Sequence, residues 1–115
     1  MEIKQSLADE FFALNPEQRR LVHFMLCRHA LDQWSLYANA QGQIEYRETV
    51  VGTRQVLDQQ LPFEAYASAW QGLNAGDIAV RYREPITALH DEDLVFPENI
   101  VFAYYAVYNL FKKYG

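Results

Sequence analysis

The sequence predicts a mainly α-helical fold, a compact bundle of about five to six helices within a single domain spanning residues 1–115. Proline is followed closely by glutamate at Pro16, Pro62 and Pro97. A proline in the first helical turn with an early carboxylate is typical of a helix start. Two long segments, after the first and the last of these prolines, carry apolar residues in most directions around a helix axis, which is typical of buried helices.

The predicted helices are justified in chain order. Ile3–Leu14 places its apolar residues on one helical stripe and its charged residues elsewhere. The next helix runs from Pro16 to about Ala40, with Gly42 as a predicted left-handed cap. A short helix is predicted over Phe63–Gln71, followed by turn residues. The final helix starts at Pro97; we expect most of its surface to be buried and its tyrosine hydroxyls to reach the edge of the core.

The segment 44–61 is compatible with two structures. Its β-branched and aromatic residues favour a strand, whereas apolar residues recur at helical spacing. We expect a helix; the alternative is a short two-stranded element in which residues 44–52 pair with residues 77–83. The stretches Tyr46–Val50 and Tyr82–Ile86 also share the letters Tyr-Arg-Glu. This similarity indicates either a duplicated helical unit or coincidence.

Composition excludes several classes of function. The net charge is -5, which repels a phosphate backbone and argues against direct nucleic-acid binding. No apolar run reaches the roughly 18 residues needed to span a bilayer, so no membrane association is expected. The first residues carry no apolar signal core, which predicts a cytoplasmic protein. The composition does not predict the oligomeric state.

Five acidic residues form the candidate partner-binding site: Glu84, Asp91, Glu92, Asp93 and Glu98. No lysine or arginine lies between the last four, which precede or open the terminal helix. One interpretation is a solvated loop with an acidic helix start. The other is a recognition patch for lysine and arginine side chains of a protein partner, because opposite charge accelerates association and selects the partner. The run lacks the ligand register of a calcium loop.

Catalytic and metal chemistry are not expected. His23 and Cys27 lie four residues apart and His29 is nearby, but zinc needs further ligands and the sequence has no second cysteine. The apolar neighbours of Cys27 should raise its pKa, which disfavours a nucleophilic role. Trp34 and Trp70 are interpreted as core residues. We therefore predict no enzyme, no cofactor and no metal.

The stretches "IEYRETVVGTRQVLDQQLP" and "LVFPENIVFAYYAVYNLFKKYG", with the length and the acidic balance, resemble the small cytoplasmic immunity proteins of bacterial polymorphic-toxin and contact-dependent growth inhibition systems. The resemblance implies a protein that binds and neutralises one cognate toxin, often a nuclease with a basic surface. Alternatives are a regulatory or scaffold domain, an inhibitor of another nucleic-acid-handling system, and an uncharacterised enzyme.

Overall fold

The computed structural model describes residues 13–48, 50–73 and 75–115, and this part of the chain contains four helices and one two-stranded antiparallel sheet. The elements are α1 (Pro16–Gln41), β1 (Glu45–Arg47), β2 (Arg54–Val56), α2 (Leu61–Gln71), α3 (Gly76–His90) and α4 (Glu98–Tyr114). The mainly α prediction is confirmed, with fewer helices among the described residues than expected. The helix predicted over 3–14 lies almost wholly outside those residues.

All three proline-glutamate signals begin helices. At α1, the Asn15 side chain accepts a hydrogen bond from the Gln18 backbone N–H at 2.8 Å, and the Gln18 side chain accepts one from the Asn15 N–H at 3.1 Å. This reciprocal pair is a capping box. Pro62 occupies the first turn of α2, and Pro97 directly precedes α4. The predicted boundaries of these three helices are therefore confirmed to within about two residues.

The predicted burial of the two long helices was too extensive. The buried positions of α1 form one stripe: Phe24, Cys27, Ala30, Leu31, Trp34 and Ala38. On the other side of α1, Met25 is 72% exposed. Helix α4 packs against α1 and α2, yet Phe102 is 66% exposed. Both helices thus keep an apolar face that the core does not cover, because their partners lie on one side.

The segment 44–61 forms a β-hairpin, so the predicted helix was wrong. Strand β1 pairs with β2, and Tyr46 lies opposite Gln55. The turn is closed by Gly52, whose N–H donates to the Glu48 carbonyl at 2.8 Å and whose φ is 76°. An α-helix requires negative φ at every residue, and glycine adopts this positive value at little cost. Strand pairing with 77–83 was also wrong, because those residues belong to α3.

The repeated Tyr-Arg-Glu letters do not mark a duplicated unit. Tyr46 lies in β1, whereas Tyr82 lies inside α3, which starts at Gly76. The two tyrosines share only burial: Tyr46 is 8% exposed and Tyr82 is fully buried. The similarity is therefore a coincidence of sequence between two different backbone structures.

An aromatic core joins α1, α3 and α4. The Trp34 ring lies 5.1 Å from the Tyr104 ring and 5.4 Å from the Phe96 ring, between centroids, and Tyr82 lies 5.4 Å from Tyr104. The Trp34 indole N–H donates to the Gln59 carbonyl at 3.0 Å. Tilted and edge-on ring pairs at these distances stabilise a core beyond the area that they bury.

Two tyrosine hydroxyls are buried in the core, and that of Tyr104 contradicts the expectation that the tyrosine hydroxyls of the final helix reach the edge of the core. Tyr82 and Tyr104 are fully buried, and their hydroxyl oxygens have no hydrogen-bond partner among the described residues. Burial raises the pKa of both phenols well above the ordinary value. Ring packing outweighs hydroxyl solvation at these positions, because the rings fill the space between α3 and α4.

Candidate interaction surface

The predicted acidic run forms the turn between α3 and α4, and backbone hydrogen bonds hold it in place. The Asp91 N–H donates to the Thr87 carbonyl at 2.9 Å, and the Leu94 N–H donates to the Ala88 carbonyl at 3.1 Å. Leu94 is buried, whereas Asp91, Glu92 and Asp93 are exposed. The carboxylates are therefore presented from a turn that is anchored to the core on its far side.

Glu92 adopts a backbone conformation that glycine ordinarily supplies. Its φ is 63°, the only positive value at a non-glycine residue in the described part of the chain. At the end of α2, the corresponding position is Gly72, with φ of 65°. Both residues donate their N–H to a carbonyl three residues earlier, at 3.4 Å for Glu92 and 3.3 Å for Gly72. A side chain here costs conformational energy, so the turn holds a strained glutamate.

An apolar depression of about 450 Å³ lies beside this turn. Its walls come from the end of α3, the turn and the first half of α4, and they consist of Leu89, Glu92, Leu94, Val95, Phe96, Val101 and Tyr105. Glu92 is its one charged residue, and Val95 is largely exposed. We call this depression and the exposed acids Asp91, Glu92 and Glu98 the turn surface. It combines an apolar centre with acidic neighbours.

The remaining predicted acids have different surroundings. Asp91 lies 3.2 Å from the ring of His90, and Glu98 is an exposed residue in the first turn of α4. Asp93 lines a separate polar depression that also contains Arg47 and Arg54 of the hairpin. Positive side chains therefore lie close to Asp93, and the exposed negative charge of the run is concentrated at Asp91, Glu92 and Glu98.

Glu84 lies apart from the turn, on the part of α3 that faces the hairpin. It is half-buried and lies six residues, about 9 Å of helix rise, before the end of α3 at His90. Its carboxylate faces the hydroxyl of Tyr46. Burial, then the charge and hydrogen bonding of Glu84, and then Glu48 raise the pKa of Tyr46 to about 12. The five predicted acids are thus not brought together in one depression.

Sequence reasoning missed an acidic network around Arg81. The guanidinium lies 3.2 Å from Asp58, 2.9 Å from Glu64 and 3.2 Å from Asp77. The hydrogen bonding that Arg81 donates to Glu64 raises the pKa of Arg81 more than any other contact. The four-residue spacing of Asp77 and Arg81 was the available signal. These ion pairs join α2, α3 and the loop that precedes α2. Their carboxylates are about half-exposed or more.

The cysteine and two histidines of α1 have separate surroundings, and those of Cys27 are the ones that the sequence predicted. Its thiol is buried, donates to the Ala106 carbonyl at 3.5 Å, and has a pKa raised by that burial. His23 lies 2.9 Å from the Tyr114 hydroxyl, and burial, followed by Lys113, lowers its pKa. His29 is exposed and contacts Gln33. Among the residues that the structure describes, no three potential metal ligands lie together.

Comparison with protein-family models, with curated proteins and with solved structures found no match to this chain. No helix within the described ranges combines the length and the apolar character needed to cross a membrane.

Proposed function

We propose that this chain is an immunity protein, which binds and neutralises the toxin domain of a bacterial polymorphic-toxin or contact-dependent growth inhibition system. In this proposal the toxin has a basic surface, and a nuclease is the class of toxin that this chemistry favours most. The turn surface carries the proposal, because it places exposed carboxylates beside an apolar depression. Protein interfaces combine an apolar centre with a polar rim in this way.

Charge supports a basic partner rather than an acidic one. The chain has a net charge of -5, and neither Glu92 nor Glu98 has an ion-pair partner within the described ranges. Opposite charge steers association and can raise its rate by about tenfold to a thousandfold at low salt. A nuclease must present lysine and arginine to a phosphate backbone, so an acidic inhibitor can compete for those side chains.

Rigidity supports the same surface. The backbone hydrogen bonds of Asp91 and Leu94 fix both ends of the turn against α3, and Leu94 and Phe96 are buried in the core. Less conformational entropy is then lost when a partner orders the acidic side chains. A solvated loop without function would gain nothing from a strained Glu92.

The test is complex formation with the product of the neighbouring toxin gene. The tagged chain and the catalytically inactivated toxin are co-expressed, and the association rate is measured at about 50 mM and about 300 mM salt. In the double variant Asp91→Lys and Glu92→Lys, we expect association to slow by about tenfold at low salt, and protection of toxin-expressing cells to fall.

The matched control is the double variant Glu17→Lys and Asp32→Lys, which alters the net charge equally at exposed positions of α1. It should associate at close to the unaltered rate. Equal slowing in both variants would assign the effect to net charge and remove the turn surface from the proposal. A complex that forms without protecting cells would contradict the immunity role and favour a scaffold or regulatory protein.

A further inference from the structure

A second depression lies between the hairpin and α3. It has a volume of about 270 Å³ and is lined by Glu48, Val50, Val80, Arg83, Glu84 and Thr87. Positions 80, 83, 84 and 87 share one face of α3, because residues three and four apart are neighbours on a helix. The hairpin supplies the opposite wall. We call this depression the hairpin groove.

One carboxylate oxygen on the acidic side of the hairpin groove has no hydrogen-bond partner among the described residues. Oxygen Oε1 of Glu84 is buried and has no hydrogen-bond partner among the described residues. The guanidinium of Arg83, which also lines the groove, forms no ion pair within that part of the chain. Buried carboxylate oxygens are ordinarily paired, since leaving one unpaired is costly. The groove therefore lacks a donor for this one oxygen, although the Tyr46 hydroxyl donates to the Glu84 carboxylate.

The apolar wall is exposed where a turn would ordinarily be polar. Val50 is 86% exposed and Val51 is 73% exposed, both within the turn of the hairpin. Glycine, asparagine and aspartate are the residues that turns favour. Across the groove, Val80 is 59% exposed. These side chains gain burial only if another molecule covers them.

We propose that the hairpin groove receives a lysine or arginine side chain of the protein partner. The methylene groups of that side chain pack between Val50 and Val80, and its cationic end donates hydrogen bonds to Glu84 and Glu48. Long basic side chains combine an apolar stem with a charged end, which matches a groove with two apolar walls and an acidic end. This inference rests on the proposed function, because it adds an anchor point for the same basic partner.

Position along α3 is compatible with one partner occupying both surfaces. Glu84 lies about 9 Å along α3 from the helix end at His90, next to the turn surface, and an interface of ordinary size covers about 800 Å² on each protein. An anionic occupant is disfavoured, because two carboxylates and one guanidinium line the groove. A partner bound at the turn surface would then place one basic side chain in the hairpin groove, so that a single interface covers both surfaces.

The test uses small cations and does not require the toxin. The ¹⁵N-labelled full chain is titrated with n-butylguanidinium, and n-butylurea serves as the neutral compound of the same shape. We expect saturable shifts with a millimolar dissociation constant at the amides of Glu48, Val50, Val80 and Thr87. Glu84→Gln should weaken n-butylguanidinium binding by about tenfold or more.

A matched pair of variants separates the groove from general effects of substitution. Val80→Trp fills the groove from an exposed position and should abolish the shifts, whereas Val56→Trp should retain them. Val56 is also 59% exposed and does not line the groove. Urea unfolding of each variant checks that it is folded. Equal binding of n-butylurea, unchanged binding by Val80→Trp, or no saturable shift would overturn the inference.

Failure of the inference and failure of the proposed function give different results. If the toxin forms a complex and n-butylguanidinium does not bind the groove, the inference alone is wrong. If n-butylguanidinium binds and no basic toxin domain forms a complex, the proposed function alone is wrong.

Discussion

Replacement of Glu92 by glycine should stabilise the protein, although it removes a side chain from the predicted binding site. Glu92 has φ of 63°, in the left-handed region where an L-residue is strained by about 1–2 kcal/mol. Glycine removes that strain. Glycine also increases the freedom of the unfolded chain, which costs about 0.4–1 kcal/mol. The difference predicts a gain of about 0–1.6 kcal/mol in the free energy of unfolding, and about 0.8 kcal/mol at the middle of both ranges.

The control for this prediction is the preceding residue. Asp91 has an ordinary backbone conformation, with φ of -89° and ψ of 5°. Asp91→Gly therefore relieves no strain and loses about 0.4–1 kcal/mol through the unfolded state. Both substitutions remove one carboxylate, so the change in net charge is the same. The two variants should shift stability in opposite directions.

Urea unfolding followed by tryptophan fluorescence measures both effects, because Trp34 is only 1% exposed in the folded chain. We expect the Glu92→Gly midpoint above that of the unaltered chain and the Asp91→Gly midpoint below it. A loss of stability in Glu92→Gly as large as that in Asp91→Gly would refute the strain at position 92. If the turn surface binds the toxin, Glu92→Gly should also bind more weakly while being more stable.

Two predictions concern the buried tyrosines. Tyr104→Phe removes a buried hydroxyl with no hydrogen-bond partner among the described residues, so stability should rise by about 1 kcal/mol in urea unfolding; a loss of that size would show that the hydroxyl is bonded. Above about pH 10, tyrosines of the unfolded chain lose their protons, whereas Tyr46 keeps its proton up to its pKa of about 12. The folded state then binds more protons, so stability should fall as the pH rises through this window. Tyr46→Phe should lessen the fall measured between about pH 9 and about pH 11, and an unchanged slope would contradict the assignment.

The starts of α1, α2 and α4 were predictable because their chemistry is local. The capping pair of Asn15 and Gln18, and the prolines at the starts of α2 and α4, act within one turn of backbone. The hairpin was not predicted, since Val50 and Leu57 fit a helical spacing by chance. Val50 in fact lies in an exposed turn. The alternation of exposed and buried side chains that indicates a strand extends only over the three residues of β1.

The surroundings of the acidic residues depended on contacts between distant segments. Sequence proximity correctly placed Asp91, Glu92 and Asp93 on one exposed turn. Nothing in the spacing indicated that Glu84 faces Tyr46 or that Asp93 shares a depression with Arg47. Those relations follow from the position of the hairpin beside α3, which the predicted helix over 44–61 excluded. The role of these residues in partner binding remains a prediction.

The contact between the Trp34 and Tyr104 rings, at 5.1 Å, has a kinetic consequence. It joins α1 to α4 across most of the sequence, so the two ends of a long loop must meet before the aromatic core can form. Loop closure of this kind slows folding relative to helical bundles whose contacts are local. The hairpin is closed by near neighbours, so we expect it to form before α4 docks against α1.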